Sequence, residues 1–263
     1  MSSRAEVVET WDTVINRFLA GDTGYRPKPL DCWFNAYAGK GDGEVVLDAF
    51  PEPYIGDLAA GNPCAVTLGL NPGEAHLDLQ GRDGEFAHQI RALGSYHRWA
   101  ATLPYFGESW LRARGRRNSF HESRLRFLRT WFGPNFRDDE MLTFELYPWH
   151  SKRVMGDQIR PDPDIVRQFI WKPIADMGNP TIFAFGAPWM QLVEAMGLTV
   201  EAELGLGGTD YGSSVPSRRV LVARTTEGAT VIVEKHAGGV GPPRQVEAEL
   251  LRNYVVSELR VRP

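Results

Sequence analysis

An apolar segment of strand length ends abruptly in a polar turn, and this junction constrains the fold more than any other feature of the chain. The segment runs from Cys64 to Leu70 and is followed directly by Asn71-Pro72-Gly73. An apolar run that stops at a Pro/Gly turn is typical of a buried parallel strand whose carboxyl end delivers a polar side chain. In open α/β sheets, ligands bind at that edge. The alternative is a loop in which Asn71 caps a following helix.

Three further apolar segments end in the same way, and stretches with helical periodicity separate them. These segments are Leu142–His150, Thr181–Gly186 and Thr230–Glu234, the last followed by Lys235-His236-Ala237-Gly238-Gly239. The pattern predicts an α/β fold with an open, mostly parallel sheet flanked by helices. We expect residues 1–263 to form a single domain, with residues 1–44 as an N-terminal helix and loop extension and residues 45–257 as the core.

Composition limits the cofactors and the cellular location. The two cysteines, Cys32 and Cys64, are too few for a disulfide framework or for a zinc or iron–sulfur site with four thiolates. We therefore expect no cofactor and no metal. The chain begins without a signal-peptide pattern and contains no apolar stretch of membrane-spanning length. A cytoplasmic monomer with no membrane partner is expected.

Basic residues are concentrated in one stretch, although the formal net charge of the chain is −4. Seven arginines lie between residues 112 and 129, near Trp110, Phe120 and His121. A basic stretch interleaved with aromatic residues is compatible with contact to nucleic-acid phosphates, and in a DNA-acting protein Arg114, Arg116 and Arg117 would be the candidates for contact with DNA. The alternative is a solvated helix face, which is the usual role of a run of charges.

Taken in order, the motifs resemble those of the uracil-DNA glycosylase superfamily. Gly69-Leu70-Asn71-Pro72-Gly73 is similar to its first motif, in the Asn-Pro-Gly form of the single-strand-selective monofunctional and mismatch-specific branches. Phe50–Ile55 is similar to the segment that precedes this motif in the single-strand-selective branch. Glu145-Leu146-Tyr147-Pro148 falls where that branch carries a base-reading Asn, and Lys235-His236-Ala237-Gly238 falls where the family has His-Pro-Ser. The resemblance spans roughly residues 45–257, and the last two motifs depart from the family pattern.

The resemblance implies a uracil-DNA glycosylase-like fold and a monofunctional enzyme that hydrolyses the bond between a flipped base and deoxyribose. Such a reaction passes through an oxocarbenium-like sugar and needs an oriented water molecule and a stabilised leaving group. Asn71 would orient the water, and His236 would donate a hydrogen bond to base O2 as negative charge develops. A capping or core role is the alternative for His236.

The same resemblance assigns residues to the base and to the DNA backbone. Gly69, Leu70, Pro72 and Gly73 would line the base pocket, together with Trp149 and His150. Phe86 would stack on the flipped base, and its alternative is a core role. Lys235, Gly238, Gly239 and Arg244 would contact DNA, and either Val240 or Arg244 would fill the gap left by the flipped base.

Glu145 is the departure from the family pattern with the largest chemical consequence. An ionised carboxylate only accepts hydrogen bonds, so it would repel uracil O4 and pair with the N4 amino group of cytosine. A buried, protonated carboxyl group would fit either base. The resemblance together with Glu145 therefore predicts excision of cytosine or a modified cytosine, as in defence against phage DNA. In the alternative, Glu145 is a surface residue at the end of a strand.

Three functional hypotheses follow. The first is a monofunctional DNA glycosylase, acting on a cytosine-type base or, alternatively, removing uracil in DNA repair. The second is a catalytically silent DNA-binding relative of the same fold. The third, another α/β hydrolase or nucleotide-binding enzyme, is disfavoured because the sequence has no Gly-x-Ser-x-Gly motif, no P-loop and no metal-spaced His/Glu helix motif. The missing catalytic lysine argues against a Schiff-base lyase, for which Lys152 and Lys235, near the predicted site, are the remaining candidates.

Overall fold

A computed structural model of the protein describes residues 2–37, 39–154, 159–212, 218–236 and 241–260. Within these residues, seven strands form one sheet. They are β1 (Tyr54–Ile55), β2 (Ala65–Gly69), β3 (Met141–Glu145), β4 (Thr181–Phe185), β5 (Thr199–Gly205), β6 (Arg218–Arg224) and β7 (Thr230–His236). Their order across the sheet is β1-β3-β2-β4-β7-β6-β5.

The sheet is mixed, with a parallel centre and antiparallel margins. The neighbours β3, β2, β4 and β7 are parallel, whereas β1 pairs antiparallel with β3, β6 with β7, and β5 with β6. Five of the seven strands therefore run in one direction, and only β1 and β6 run against them. The predicted α/β class with a mostly parallel sheet is confirmed.

The central strands are buried on both faces, which explains their uninterrupted apolar sequences. Every residue of β2, β3 and β4 is buried. Polar side chains inside this centre are paired: the hydroxyl groups of Thr67 on β2 and Thr143 on β3 lie 2.8 Å apart. The contact gives each buried hydroxyl group a hydrogen-bond partner within the protein.

Eleven α-helices are present in the described part of the chain. They are α1 (Ser3–Leu19), α2 (Lys28–Asn35), α3 (Leu77–Gln80), α4 (Glu85–Leu93), α5 (Tyr96–Ala100), α6 (Glu108–Arg114), α7 (Ser119–Phe132), α8 (Pro163–Val166), α9 (Lys172–Ala175), α10 (Ala187–Leu192) and α11 (Gln245–Ser257). A π-helical turn, Arg167–Trp171, joins α8 to α9. Short 3₁₀ turns lie at Gly41–Gly43, Pro104–Phe106 and Asp138–Glu140. No described helix is long and apolar enough to cross a membrane.

Helices cover both faces of the sheet and create two apolar cores. The first core contains Leu68 from β2 together with Trp11 from α1, so the N-terminal extension packs into the body of the fold. The second core contains Phe183 and Phe185 from β4 and is covered by α7 and α11, which pack against each other. The side chain of Phe127 on α7 belongs to this second core.

The order of the parallel strands places a topological switch point beside β2. After β2 the chain adds β3 on one side of it, then crosses back to add β4 on the other side. A crevice forms where the chain winds away in both directions, and ligands of open α/β sheets bind there, at the carboxyl ends of the strands. Asn71 follows the end of β2 at this position.

Candidate functional site

The Asn71-Pro72-Gly73 turn leaves the carboxyl end of β2 with a fixed amide. The side-chain nitrogen of Asn71 donates to the backbone oxygen of Ser151 at 3.2 Å and to its hydroxyl oxygen at 3.1 Å. Both bonds are made by the amide nitrogen, and the amide oxygen has no partner among the described residues. Because the side chain is only half-buried, this oxygen is available to accept a hydrogen bond from a water molecule.

The segment after β3 holds the same turn at its other end. The Nδ1 atom of His150 lies 3.2 Å from the backbone oxygen of Gly73. A carbonyl oxygen only accepts, so Nδ1 carries the hydrogen. Gly73 has a φ of 86°, in the left-handed region that glycine tolerates best. Consecutive residues, His150 and Ser151, therefore fix both ends of the turn. The sequence predicted His150 as a lining residue but did not reveal the role of Ser151.

A buried polar network lies beside His150, although Nε2 of this histidine has no hydrogen-bond partner in the described structure. Its Nε2 atom lies 3.6 Å from Oε1 of Glu52, whose carboxylate accepts from the Tyr105 hydroxyl group at 2.5 Å and from Nε2 of Gln80 at 3.3 Å. The ring of His121 stacks on Tyr105, with centroids 4.4 Å apart. Burial lowers the pKa of His121 well below its usual value, so this imidazole is neutral. The network places the Glu52 carboxylate across the His150 ring from the Asn-Pro-Gly turn.

Glu145 is paired with an arginine that the motifs did not reveal. Nη1 of Arg124, on α7, lies 3.0 Å from Oε1 of Glu145 at the end of β3, and the two side chains are 2% and 5% exposed. A Cβ atom on Gly69 would lie 2.2 Å from Oε2 of Glu145 and from Nη2 of Arg124. The pair therefore lies across the backbone of Gly69, and only glycine fits there. Burial raises the pKa of Glu145 to about 6, while Arg124 opposes the shift.

The Arg124–Glu145 pair is covered, so Glu145 is not the surface residue of the alternative interpretation, and its role in reading the base stays a prediction. The guanidinium carbon of Arg124 lies 3.7 Å from the centroid of the Phe120 ring. Oε2 of Glu145 is buried without a hydrogen-bond partner. A base reaches this oxygen only if the side chains that bury it move. The sequence signal for Arg124 was its position: it lies on the same helical stripe as Leu128, four residues later.

Two aromatic residues predicted at the base pocket are core residues in the structure. Phe86 is 0% exposed, and its ring packs against those of Trp99 and Tyr105 at 5.1 and 5.6 Å. Trp149 is buried against Trp11, with centroids 6.0 Å apart. Neither ring presents a free face on which a base can stack, because aromatic neighbours occupy those positions.

Around the first motif, the other predicted pocket residues differ in accessibility. Leu70 is buried and lies against Gly186 of the neighbouring strand end, whereas Pro72 and Gly73 are half-buried. The backbone oxygen of Gly69 accepts from the indole nitrogen of Trp189 at 3.0 Å. Pro72 and Gly73 are thus the members of this group that a substrate can reach.

His236 ends β7 at the same edge of the sheet as Asn71. β4 lies between β2 and β7, so the two strand ends are about 10 Å apart across the sheet. His236 is half-buried and Lys235 is exposed. Gly238 and Gly239, predicted to contact DNA, and Val240, a candidate for filling the gap, lie outside the described residues.

A second buried arginine fixes the chain beyond His236. Arg218, on β6, donates to the backbone oxygens of Gly241 at 2.8 Å and Pro242 at 3.1 Å, and to Glu247 at 3.2 Å. Nη1 of Arg218 also lies 3.6 Å from Glu234, whose pKa burial raises to about 8. Arg218 therefore sets the position at which the chain enters α11.

The arginines predicted to contact DNA are not equally free to do so. Arg114 is ion-paired with Asp78, and Arg117 with Glu122 at 2.7 Å. Arg116 is exposed and has no ion pair within the described part of the chain. Of the three arginines predicted to contact DNA, Arg114 and Arg117 are therefore already neutralised by carboxylates of the same chain.

The described residues contain no group of three or more His, Cys, Asp or Glu side chains that could hold a metal ion. The chain matches no protein-family model, no curated protein and no solved structure. Its function is therefore inferred from the residues of the sheet edge.

Proposed function

We propose that this protein is a monofunctional DNA glycosylase that hydrolyses the N-glycosidic bond of a flipped nucleotide. The observation that carries the proposal is the position of the Asn71 amide at the topological switch point. Its nitrogen donates to Ser151, and its oxygen has no partner in the described structure. The resemblance of the ordered motifs to the uracil-DNA glycosylase superfamily supports the same reaction.

In the proposed mechanism, the oxygen of Asn71 accepts a hydrogen bond from a water molecule and orients it below C1′ of the sugar. An amide does not take a proton at neutral pH, so the rate depends strongly on stabilisation of the departing base. His236, at the end of β7, donates to base O2 as the base becomes anionic. Removal of one such preorganised donor typically lowers the rate by about 10²–10³-fold.

A cytosine-type base is the proposed target. With a pKa of about 6, Glu145 is largely ionised at neutral pH, and its Oε2 atom lacks a partner. An ionised carboxylate accepts from the N4 amino group of cytosine and repels O4 of uracil. Recognition in this form requires that the side chains covering Glu145 move aside when the base enters, while the guanidinium of Arg124 stays close enough to keep the carboxylate ionised. Uracil is the alternative target if Glu145 is protonated in the complex.

A second candidate function is DNA binding without catalysis. The covered Arg124–Glu145 pair and the enclosed ring of Phe86 favour it, because the structure offers no open pocket for a flipped base at these residues. A silent relative would bind DNA and release no base.

The deciding experiment is a single-turnover assay on single-stranded and duplex oligonucleotides that carry uracil, cytosine or a modified cytosine, with abasic sites scored after alkaline cleavage. We expect base release from a cytosine-type substrate. We expect Asn71→Ala and His236→Ala each to slow base release by about 10²-fold or more, while DNA binding persists.

Matched controls are Asn253→Ala on α11 and His88→Ala on α4, two exposed residues away from the sheet edge. Near-normal base release by the Asn71 and His236 variants would refute their assignment. DNA binding without release from any substrate would favour the silent relative. Base preference is measured by comparing the rates of the unchanged protein on the different substrates. A Glu145 variant is less suitable for this purpose, because it leaves Arg124 buried without its carboxylate partner.

A further inference from the structure

A groove between α7 and α11 lies on the second face of the sheet and has a volume of about 760 Å³. Its lining includes the buried ring of Phe127, Pro134 shortly after α7, and Pro242 and Pro243 shortly before α11. Pockets of this volume accommodate small ligands or a segment of a larger one.

Four arginines surround the groove, whereas its lining contains a single carboxylate. The arginines are Arg126, Arg129, Arg244 and Arg252. None of them forms an ion pair with a described residue. The carboxylate, Glu249, accepts instead from the side chain of Gln245 at 3.0 Å. The groove therefore carries uncompensated positive charge in a protein whose formal net charge is −4.

Two of the arginines are held in place by the fold. Nε of Arg129 donates to the backbone oxygen of Phe136 at 3.1 Å, and Nε of Arg252 donates to that of Trp131 at 2.6 Å. In both residues the terminal nitrogens have no hydrogen-bond partner in the described structure. A guanidinium that is already oriented loses less side-chain entropy when it binds a phosphate in a bidentate manner.

The amino end of α11 adds to this field. The helix is 13 residues long and begins directly after Arg244, which provides no side-chain cap. The backbone N–H groups of a first turn without such a cap favour an anion. They lie at the same end of the groove as Arg244 and Gln245.

The groove meets the proposed active site at this end. Ser123, in its lining, precedes Arg124, which crosses Gly69 just before Asn71. Pro242, also in its lining, is held by Arg218, the cross-strand neighbour of His236. A DNA strand that presents a nucleotide to the sheet edge can therefore continue into the groove.

We propose that the groove between α7 and α11 binds the phosphate backbone of the DNA strand that flanks the target nucleotide. The proposal rests on the proposed function for its choice of DNA as the partner. Phe127, the one aromatic residue of the lining, is buried, so the groove offers charge but no ring on which bases stack. Binding in the groove is therefore independent of base sequence and strongly dependent on salt.

The test is fluorescence anisotropy with an unmodified single-stranded oligonucleotide over a series of salt concentrations. The variant is Arg126→Gln/Arg244→Gln, which removes two exposed arginines without intramolecular ion pairs and so preserves the fold. For single strands, the slope of log K against log salt concentration is about −0.7 for each phosphate that is neutralised. Loss of two contacts should therefore make this slope less steep by about 1.4 and weaken binding about 25-fold at about 0.1 M salt.

The matched control is Arg98→Gln/Arg160→Gln, which removes the same charge from exposed residues beside the first core. We expect this control to retain the slope of the parent protein. An unchanged slope in Arg126→Gln/Arg244→Gln, an equal loss in the control, or no DNA binding by the parent protein would each overturn the proposal.

Base release, measured in parallel, separates this proposal from the proposed function. A flattened slope in the groove variant, with no base release by the parent protein from any substrate, supports the groove and refutes the glycosylase. Base release with an unchanged slope supports the glycosylase and refutes the groove.

Discussion

The buried pair of Arg124 and Glu145 allows a quantitative test of how the sheet edge is built. Replacement of Arg124 by methionine keeps an unbranched, flexible side chain, although a shorter one, and removes its charge. Glu145 would then be a buried carboxylate without a cation, since its side chain is 5% exposed and its Oε2 atom already lacks a partner. Removal of one member of a buried ion pair typically costs about 3–5 kcal/mol. We expect Arg124→Met to lower the free energy of unfolding by this amount at neutral or higher pH.

The second substitution, Glu145→Gln, should reverse most of this loss. Replacement of both members of a buried pair by neutral groups is often close to neutral, because no charge remains without a partner. Arg124→Met/Glu145→Gln should therefore be more stable than Arg124→Met alone. A double-mutant cycle measures the interaction free energy of the pair.

The pH dependence has a defined sign. The pKa of Glu145 is raised from 4.5 to about 6 in the folded protein. The folded state therefore binds the Glu145 proton more tightly than the unfolded state does. Proton binding stabilises the fold fully below about pH 4.5, and this stabilisation is lost as pH rises through 6, which lowers the free energy of unfolding by about 2 kcal/mol. In Arg124→Met the attraction of the guanidinium is missing, so the pKa of Glu145 rises further. The deficit of the variant should thus be small near pH 5 and large near pH 8.

Urea unfolding followed by tryptophan fluorescence at these two pH values measures the deficit, with a common m-value as the check on two-state behaviour. A deficit below about 1 kcal/mol near pH 8, or an equal deficit at both pH values, would refute the account of an uncompensated buried carboxylate.

Two further predictions concern the first motif. Gly69→Ala should lower the free energy of unfolding by about 1–3 kcal/mol, because the new Cβ atom meets Arg124 and Glu145. Gly24→Ala is the control, since the space around its new Cβ atom is open, and it should be neutral or stabilising. Urea unfolding of both variants measures the difference. Ser151→Ala removes one of two hydrogen bonds that hold the Asn71 amide, each worth about 0.5–1.5 kcal/mol. Single-turnover base release should fall about 2- to 10-fold at unchanged DNA affinity, and an unchanged rate would show that Ser151 does not position Asn71.

The central strands were predictable because burial on both faces leaves a simple sequence signal. The apolar run from Cys64 to Leu70 contains β2, and Thr181–Gly186 contains β4, each with an error of one residue or less at either end. β5 has no such signal. It is an edge strand whose first three residues are exposed, and its Glu203 pairs across the strands with Arg219. In a sequence, the charged residues of an exposed edge strand cannot be distinguished from those of a loop, because the strand is defined by its backbone pairing with the neighbouring strand.

The candidate site was predictable in its position but not in its contacts. The ends of successive parallel strands meet at one edge, so the sequence could place Asn71 and His236 there. It could not show that Arg124, 21 residues before Glu145, would occupy the space beside it. Nor could it separate a stacking role for Phe86 from a core role, because both require an aromatic ring and only the neighbouring rings distinguish them.

Two arginine–glutamate pairs flank the proposed catalytic edge in equivalent positions. Gly69, which the Arg124–Glu145 pair crosses, is two residues before Asn71, and Glu234, beside Arg218, is two residues before His236. A buried ion pair adds little stability compared with apolar residues of the same volume, so stability alone gives no reason for two of them. Each pair instead fixes a backbone through directional contacts: the first lies across Gly69 at the end of β2, and the second holds the chain beyond the segment that follows β7. On this reasoning, the pairs keep Asn71 and His236 at a constant separation across β4, which is the condition under which an oriented water and a hydrogen-bond donor act on the same glycosidic bond.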